Sequence, residues 1–252
     1  MNTPKLTLVG AGPGNAELIT VKGLKALQHA DVILYDELAN TELLDFAPAD
    51  ALKMYVGKKA GNPSFSQNEI NGLIVRLARK RGHVVRLKGG DSFVFGRGYE
   101  ELEYAREHAL EVEVVPGVSS CIAVPASLEI PVTSRGYSES FWVITGTTRN
   151  EELSEDMQLA AQSKATVVVL MGMNRLREIC DLYKKFGRAH LPMAIIQNGT
   201  REDEKSLIGQ VWEMPRLAEE NGIGTPAIMV IGEVVSLHPS YTREYLQSMQ
   251  LI

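Results

Sequence analysis

The chain has 252 residues, of which 44% are apolar and 23% are charged, with 31 acidic against 26 basic side chains. A chain of this size can bury about 70% of its unfolded surface, so a core is expected without disulfides or metals. The net charge of −5 argues against a nucleic-acid binder whose affinity comes from neutralising phosphates. These values are typical of a soluble protein with one or two domains.

The two cysteines, Cys121 and Cys180, lie far apart, with no His or Cys at metal-ligand spacing. The sequence therefore predicts neither a disulfide framework nor a metal site. The N-terminus enters an apolar run at Leu6 without a charged leader, and no later run reaches the length of a membrane span. We expect a reduced, cytoplasmic protein that does not insert into a membrane.

Short apolar runs recur along the chain, and nearly every one ends at a glycine or a proline. Runs without polar alternation are typical of strands that are covered on both faces. We predict strands at 6–9, 32–35, 84–87, 112–115, 141–145, 167–171, 193–197 and 227–231.

Helical patterns separate these runs. Ser66–Glu69 has the sequence of a capping box, and apolar residues at helical spacing follow it until Gly82. A second helix is predicted from about 174 to 187, a surface helix within 150–163, and a peripheral helix after His238. Alternating strands and helices predict an α/β protein with mainly parallel or mixed sheets.

The turn-forming segment Pro116–Ser120 is the best candidate for a hinge between two α/β halves. We predict an N-terminal domain over 1–116 and a C-terminal domain over 117–252. In such sheets the loops at the carboxyl ends of the strands build the ligand site, and here those loops are rich in glycine.

The loop Gly10–Asn15 follows the first predicted strand and invites comparison with the dinucleotide-binding fingerprint. Asn15 stands where that fingerprint needs a small residue, and Pro13 removes a backbone N–H that phosphate binding would use. A tight turn without a ligand is the alternative interpretation of this loop.

The segment Lys88–Gly98 is the most unusual in the chain, with four glycines, an acid and an arginine in eleven residues. Adjacent glycines at a strand end let a ligand approach the backbone, and Asp91 is suited to accept hydrogen bonds from a ribose or an amino group. We predict that two buried phenylalanines hold the loop down and that Arg97 points freely. A purely structural loop is the alternative.

Asp36, Lys58 and Lys59 also follow predicted strands. Their spacing alone does not distinguish site residues from solvated loop charges. The five histidines form no pattern with a serine or cysteine that would indicate a nucleophilic triad.

Taken in order, these loops resemble the tetrapyrrole methylase family, and within it the branch that acts on uroporphyrinogen III. The resemblance covers about residues 5 to 237, with small departures at Asn15, Ser92, Ser119, Ser120 and Thr147. The matching stretches are 9–14, 30–36, 56–59, 86–98, 115–120, 130–133, 171–173, 198–200 and 224–227.

The resemblance implies two α/β domains, a homodimer, and S-adenosyl-L-methionine bound in an interdomain cleft and released as S-adenosyl-L-homocysteine. Carried over by motif, the donor site comprises Pro13, Gly89, Gly90, Asp91, Val94, Ser119, Ser120, Met171, Gly199 and Ala227.

The resemblance further implies C-methylation of uroporphyrinogen III at carbons 2 and 7, through precorrin-1 to precorrin-2, for siroheme or cobalamin synthesis. Asp36 and Lys58 match one proposed acid–base pair of the family, and Arg97 with Glu100 matches a competing one. The carboxylate-rich substrate calls for cations, for which Lys58, Lys59, Arg97, Arg135 and Arg149 are candidates. The alternatives are another precorrin methyltransferase, a nicotinamide-dependent Rossmann oxidoreductase and a non-catalytic tetrapyrrole-binding module.

Overall fold

The structure is a computed structural model that describes residues 3–57 and 65–241. The chain divides into two compact units, Met1–Ser120 and Cys121–Ile252. Within the described ranges, no helix combines the length and the apolar character that crossing a bilayer requires. Each unit is built around one sheet.

The sheet of the first unit is parallel throughout its described part, in the order β3-β2-β4-β1-β5. Because all its strands run in one direction, their carboxyl ends meet at one edge of the sheet. The strands are β1 (Lys5–Gly10), β2 (Val32–Tyr35), β3 (Leu52–Tyr55), β4 (His83–Lys88) and β5 (Glu111–Val115).

Helices cover both faces of this sheet. Leu6, Leu8 and Val84 belong to one buried cluster, while Val9 and Val85 belong to another on the opposite face. Successive strand residues thus alternate between two cores, which explains why the strand sequences lack polar alternation. The helices are α1 (Val21–Gln28), α2 (Gln67–Arg81) and α3 (Gly98–Glu107).

The start of α2 is the capping box that the sequence predicts. The Ser66 hydroxyl accepts from the Glu69 amide, and the Glu69 carboxylate accepts from the Ser66 amide at 2.7 Å. The hydrogen bonds from the Ser66 side chain and amide lower the pKa of Glu69. The stabilisation that the Glu69 carboxylate contributes to the capping box is therefore present at neutral pH. It is lost as the pH falls through that lowered pKa.

We expect Ser66→Ala to lower the free energy of unfolding by about 1 kcal/mol, because the Glu69 amide loses its acceptor at the helix start. Denaturant unfolding at pH 7 measures the change. Ser66→Thr keeps the hydroxyl and is the control, so equal losses in the two variants would contradict a capping role.

The second unit holds a mixed sheet in the order β6-β7-β10-β8-β9. β6 and β7 pair in parallel, and the remaining neighbours pair antiparallel. The strands are β6 (Phe141–Thr145), β7 (Thr166–Leu170), β8 (Pro192–Gln197), β9 (Lys205–Gln210) and β10 (Ala227–Ile231), and the helices are α4 (Ser120–Ser127), α5 (Asp156–Gln162), α6 (Leu176–Lys185) and α7 (Met214–Glu220).

The predicted fold class and all eight predicted strands are confirmed. The helix within 150–163 is α5, and the helix from about 174 begins with a 3-10 turn and continues as α6. Sequence reasoning gave no range for two edge strands. These are β3, which is only partly buried, and β9, whose short, largely polar sequence pairs with β8. Residues 242–252 of the predicted terminal helix lie outside the described residues.

Candidate active site

Five segments of the first unit leave the sheet at its carboxyl edge, and the loops after four of the strands are described in full. These four loops follow β1 at Ala11, β2 at Asp36, β4 at Gly89 and β5 at Pro116. The parallel order places β4 and β1 side by side between β2 and β5, so the loops after these two strands are neighbours. This edge carries seven of the ten predicted donor-site residues, together with Asp36, Arg97 and Glu100.

Three glycines bring the backbones of three loops into direct contact. A Cβ on Gly117 would lie 2.3 Å from the Gly90 carbonyl oxygen and 2.6 Å from the Gly10 Cα. Gly12 and Gly90 also exchange backbone hydrogen bonds of 3.2 and 2.7 Å. We call Gly10, Gly90 and Gly117 the glycine cluster; no other amino acid fits at Gly10 or Gly117 without moving a backbone.

The face above Gly90 is open. Gly90 has φ +65°, and a Cβ there would meet nothing nearer than the Ser120 amide nitrogen at 3.8 Å and the Ser119 Cα at 3.9 Å. A group lying against this glycine can therefore contact the main chain directly. The sequence predicts such a close approach of a ligand to the backbone of this loop.

Asp91 ties two of these loops together. Its Oδ1 accepts from the Phe93 amide at 2.8 Å, and its Oδ2 accepts from the Gly117 amide at 2.9 Å. Each carboxylate oxygen accepts one backbone hydrogen bond and can accept a further one. Asp91 thus shapes the site whether or not it also contacts a ligand.

The prediction that Phe93 and Phe95 are buried is wrong, since they are 50% and 45% exposed. Backbone hydrogen bonds hold the loop instead, from the Val94 amide to the Asp91 carbonyl at 3.2 Å and from the Gly98 amide to the Ser92 carbonyl at 3.0 Å. Because these bonds fold the loop, no apolar anchor is needed.

The predicted free orientation of Arg97 is also wrong. Its Nε and Nη2 donate to the two carboxylate oxygens of Glu100 at 2.8 and 2.6 Å, and both side chains are about half exposed. Hydrogen bonding to Glu100 raises the pKa of Arg97. The structure brings together the pair that the resemblance implies, with its charges already satisfied by one another.

Asp36 lies at the end of β2 and contacts two groups of the neighbouring strand. Its Oδ2 accepts from Arg86 Nη2 at 3.1 Å, and its Oδ1 faces the Gly89 amide at 3.5 Å, the outer limit of a hydrogen bond. The side chain is 25% exposed. Asp36 therefore joins the glycine-rich loop to a charged group inside the protein.

Three buried charges underlie Asp36, and sequence reasoning missed all three. Arg86, Lys88 and Glu101 are 3%, 5% and 1% exposed. Burial, with the adjacent Arg86 charge, lowers the pKa of Lys88. The available signal was two basic residues inside an otherwise apolar strand, since buried charges are rare unless they are paired.

The other predicted cations are Lys58, Lys59, Arg135 and Arg149. Lys58 and Lys59 lie outside the described residues. Arg135 and Arg149 belong to the second unit and are exposed.

Near Asp36, a hydrogen bond to Glu37 raises the pKa of Tyr55 to about 12.

The first loop differs in structure from a dinucleotide-binding turn. The Asn15 side chain caps a short 3-10 helix by accepting from the Glu17 amide at 2.8 Å. Pro13, without an N–H, precedes it and is partly buried. In the dinucleotide-binding fingerprint, a small residue at the position of Asn15 allows the helix to pack closely on the strand. In this chain Asn15 caps a helix instead.

The remaining three predicted donor-site residues share one edge of the second sheet. Met171 follows β7, Gly199 follows β8 close to its end, and Ala227 begins β10 and pairs with the last residue of β8. Met171 is about half exposed and has φ +56°. A Cβ on Gly199 would lie 2.3 Å from Val124, so this loop packs tightly on α4.

Glycine-rich loops meet at the carboxyl edge of a parallel sheet in this chain. This arrangement is typical of α/β proteins that bind a small ligand or cofactor. The family model described as tetrapyrrole (corrin/porphyrin) methylases matches residues 5–215. The chain belongs to this family.

Named relatives resemble the chain over most of its length. It is 43% identical to a uroporphyrinogen-III C-methyltransferase of Methanocaldococcus jannaschii, over 93% of this chain and 98% of that protein. It is 45% identical to a siroheme synthase of Blochmanniella pennsylvanica over 94% of this chain, and spans 50% of that longer protein. A crystal structure of uroporphyrin-III C-methyl transferase from Thermus thermophilus, complexed with S-adenyl homocysteine, matches with a TM-score of 0.78 and 37% identity over 92% of this chain and 99% of that one.

Proposed function

We propose that the chain catalyses S-adenosyl-L-methionine-dependent C-methylation of uroporphyrinogen III at carbons 2 and 7, giving precorrin-2 through precorrin-1. The observation that carries the proposal is the open face over Gly90, which belongs to the glycine cluster where the backbones approach too closely for side chains. The near full-length similarity to a uroporphyrinogen-III C-methyltransferase supports the choice of substrate. The product supplies siroheme or cobalamin synthesis.

The reaction needs no protein nucleophile. The bound donor supplies a sulfonium methyl group, and an electron-rich pyrrole carbon forms the new C–C bond as the S–CH₃ bond breaks. The protein contributes in-line placement in a site that excludes water, which can be worth about 7–11 kcal/mol. After each transfer the macrocycle carries an extra positive charge, and it loses a proton to restore conjugation.

In this proposal, Asp36 accepts that proton. Its carboxylate lies at the carboxyl edge of the sheet, is partly exposed, and faces the Gly89 amide at 3.5 Å. A positioned base of this kind typically contributes a factor of about 10² to 10⁴. In the competing Arg97–Glu100 pair both carboxylate oxygens of Glu100 accept from Arg97, whereas Asp36 keeps Oδ1 outside its ion pair with Arg86.

The donor is held by the backbone of the first unit in this proposal. The open Gly90 and the buried Ser119 present main-chain atoms rather than bulky side chains, and Asp91 fixes their loops. Pro13, Gly89, Val94 and Ser120 complete the set from this unit. The contributions of Met171, Gly199 and Ala227 in the second unit stay predictions from the resemblance.

The wider setting is part of the same proposal. The carboxylate-rich substrate is bound with the help of cations, with Lys58, Lys59 and Arg97 as the leading candidates. The enzyme acts in the cytoplasm and forms a homodimer, the assembly that the resemblance implies.

The test is transfer of labelled methyl groups from the donor to uroporphyrinogen III under anaerobic conditions. We expect two labelled carbons per macrocycle, the absorbance of precorrin-2, and thermal stabilisation by S-adenosyl-L-homocysteine. Stabilisation by NAD instead would indicate the oxidoreductase alternative. Turnover of a later precorrin but not of uroporphyrinogen III would indicate another methyltransferase of the family.

A further inference from the structure

A network of charged side chains crosses the interior of the first unit directly beneath Asp36. Arg86 and Lys88 alternate with apolar residues along β4 and face the core that α2 and α3 cover. Glu101 on α3 meets them there, and its side chain is fully buried. Burying these charges costs free energy that their mutual attraction only partly offsets.

Glu101 acts as the common acceptor of this network. Its Oε1 accepts from Arg86 Nε at 3.2 Å, from Lys88 Nζ at 3.1 Å and from Gln67 Nε2 at 3.1 Å. Among the described residues, its Oε2 has no hydrogen-bond partner. One carboxylate oxygen therefore anchors groups from β4 and α2 at a single point.

Arg86 connects that anchor to the site. Its Nη1 donates to the backbone carbonyls of Leu34 at 3.3 Å and Leu87 at 2.9 Å, and its Nη2 donates to Asp36 Oδ2 at 3.1 Å. Because all three guanidinium nitrogens donate hydrogen bonds, the guanidinium group is held in one orientation. The exposed end of the network is the Asp36 carboxylate.

This arrangement fixes one oxygen of Asp36 and leaves the other towards Gly89. Well-packed apolar side chains of similar volume would serve stability as well as a buried ion pair does. Stability alone therefore does not account for the buried charges of Arg86, Lys88 and Glu101. An interior guanidinium anchored at its far end restricts the carboxylate to one direction, which is what proton transfer from a bound macrocycle requires.

We propose that Arg86 is a positioning residue for Asp36, held in place by Glu101, so that Asp36 Oδ1 is aimed at the departing proton. The inference rests on the proposed function, since it assigns the proton to Asp36. Arg86 does not contact substrate or donor in this scheme and acts through the carboxylate alone.

A double-mutant cycle between Arg86 and Asp36 tests this. We expect Arg86→Met to lower kcat about 100-fold, with the KM of uroporphyrinogen III and the affinity for S-adenosyl-L-homocysteine changed by less than about threefold. Asp36→Asn is expected to lower kcat by about 10² to 10⁴. In the Asp36→Asn background, Arg86→Met should cause no further loss, because residues acting as one unit are not additive.

Two further variants separate positioning from folding. Arg86→Lys keeps a charge but cannot reach Glu101 and Asp36 together. We therefore expect it to lower kcat in the wild-type background and to cause no further loss in the Asp36→Asn background. This variant takes the place of Arg86→Met if the methionine protein fails to fold. Arg79→Met is the control, since Arg79 donates to the His108 carbonyl on the exposed surface and should leave kcat unchanged.

The outcomes are distinct. If the wild-type chain does not methylate uroporphyrinogen III, the proposed function and this inference fall together. If the wild type is active but Asp36→Asn keeps full turnover, the inference falls together with the proton-accepting role of Asp36, while the proposed methylation reaction stands. If the losses at Arg86 and Asp36 multiply, the inference alone falls. An Arg86 variant that changes only KM or donor affinity also overturns it.

Discussion

Gly117→Ala is expected to abolish most methyl transfer while the protein still folds. The added Cβ would lie 2.3 Å from the Gly90 carbonyl oxygen and 2.6 Å from the Gly10 Cα, so two backbones must separate. A displacement of about 1 Å in a site of this kind costs about 100-fold in turnover. The strain should also lower the free energy of unfolding by about 1–3 kcal/mol. Steady-state kinetics and calorimetric binding of S-adenosyl-L-homocysteine measure the two effects.

Gly72→Ala is the matched control for this substitution. Gly72 lies inside α2, and a Cβ there would meet nothing within 4 Å. We expect this variant to keep its turnover and to gain about 0.5–1 kcal/mol in stability, because alanine is the better helix residue. Normal donor binding by Gly117→Ala would show that the glycine cluster does not shape the donor site.

Asp91→Ala is expected to weaken donor binding and to lower turnover about 100-fold. The substitution removes the acceptor of both the Phe93 and the Gly117 amides, so the loops after β4 and β5 lose their link. Because hydrogen bonds to a charged group are worth about 1.5–3 kcal/mol each before any allowance for exposure, we expect a stability loss of about 2 kcal/mol at this half-buried position. Titration with S-adenosyl-L-homocysteine gives the change in affinity.

Asp31→Ala provides the comparison at the other end of the sheet. The Asp31 carboxylate accepts from the His83 amide at 2.7 Å, where β2 and β4 begin. This variant should lose stability and retain the wild-type affinity for S-adenosyl-L-homocysteine. If both variants lose affinity equally, Asp91 acts on folding in general and has no special effect on the donor loops.

Much of the fold could be predicted from the order of residues along the chain. The apolar runs that end at glycine or proline are strands, because a strand buried on both faces carries apolar side chains at most of its positions. The start of α2 was readable because Ser66 and Glu69 meet within one helical turn. The glycine-rich loops could be assigned to the site because parallel strands bring their carboxyl ends to one edge.

The features that sequence reasoning missed depend on contacts between distant segments. Arg86 looked like one polar residue in an apolar run, and only the packing of α3 on β4 brings Glu101 to it. Phe93 and Phe95 were predicted to anchor their loop because large apolar side chains are usually buried. The loop folds through its own backbone hydrogen bonds, so these rings remain exposed.

The position of β1 inside its sheet, between β4 and the edge strand β5, affects the folding of the first unit. Lys5 pairs with His83 on one side and with Glu111 on the other, so among the described residues the first strand of this unit pairs only with the last two strands of the unit. A deletion that removes β1 would separate β5 from the other three strands of the sheet. Nascent chains halted before β4 emerges should accordingly show no protease-resistant core, and those extended past Ser120 should acquire one.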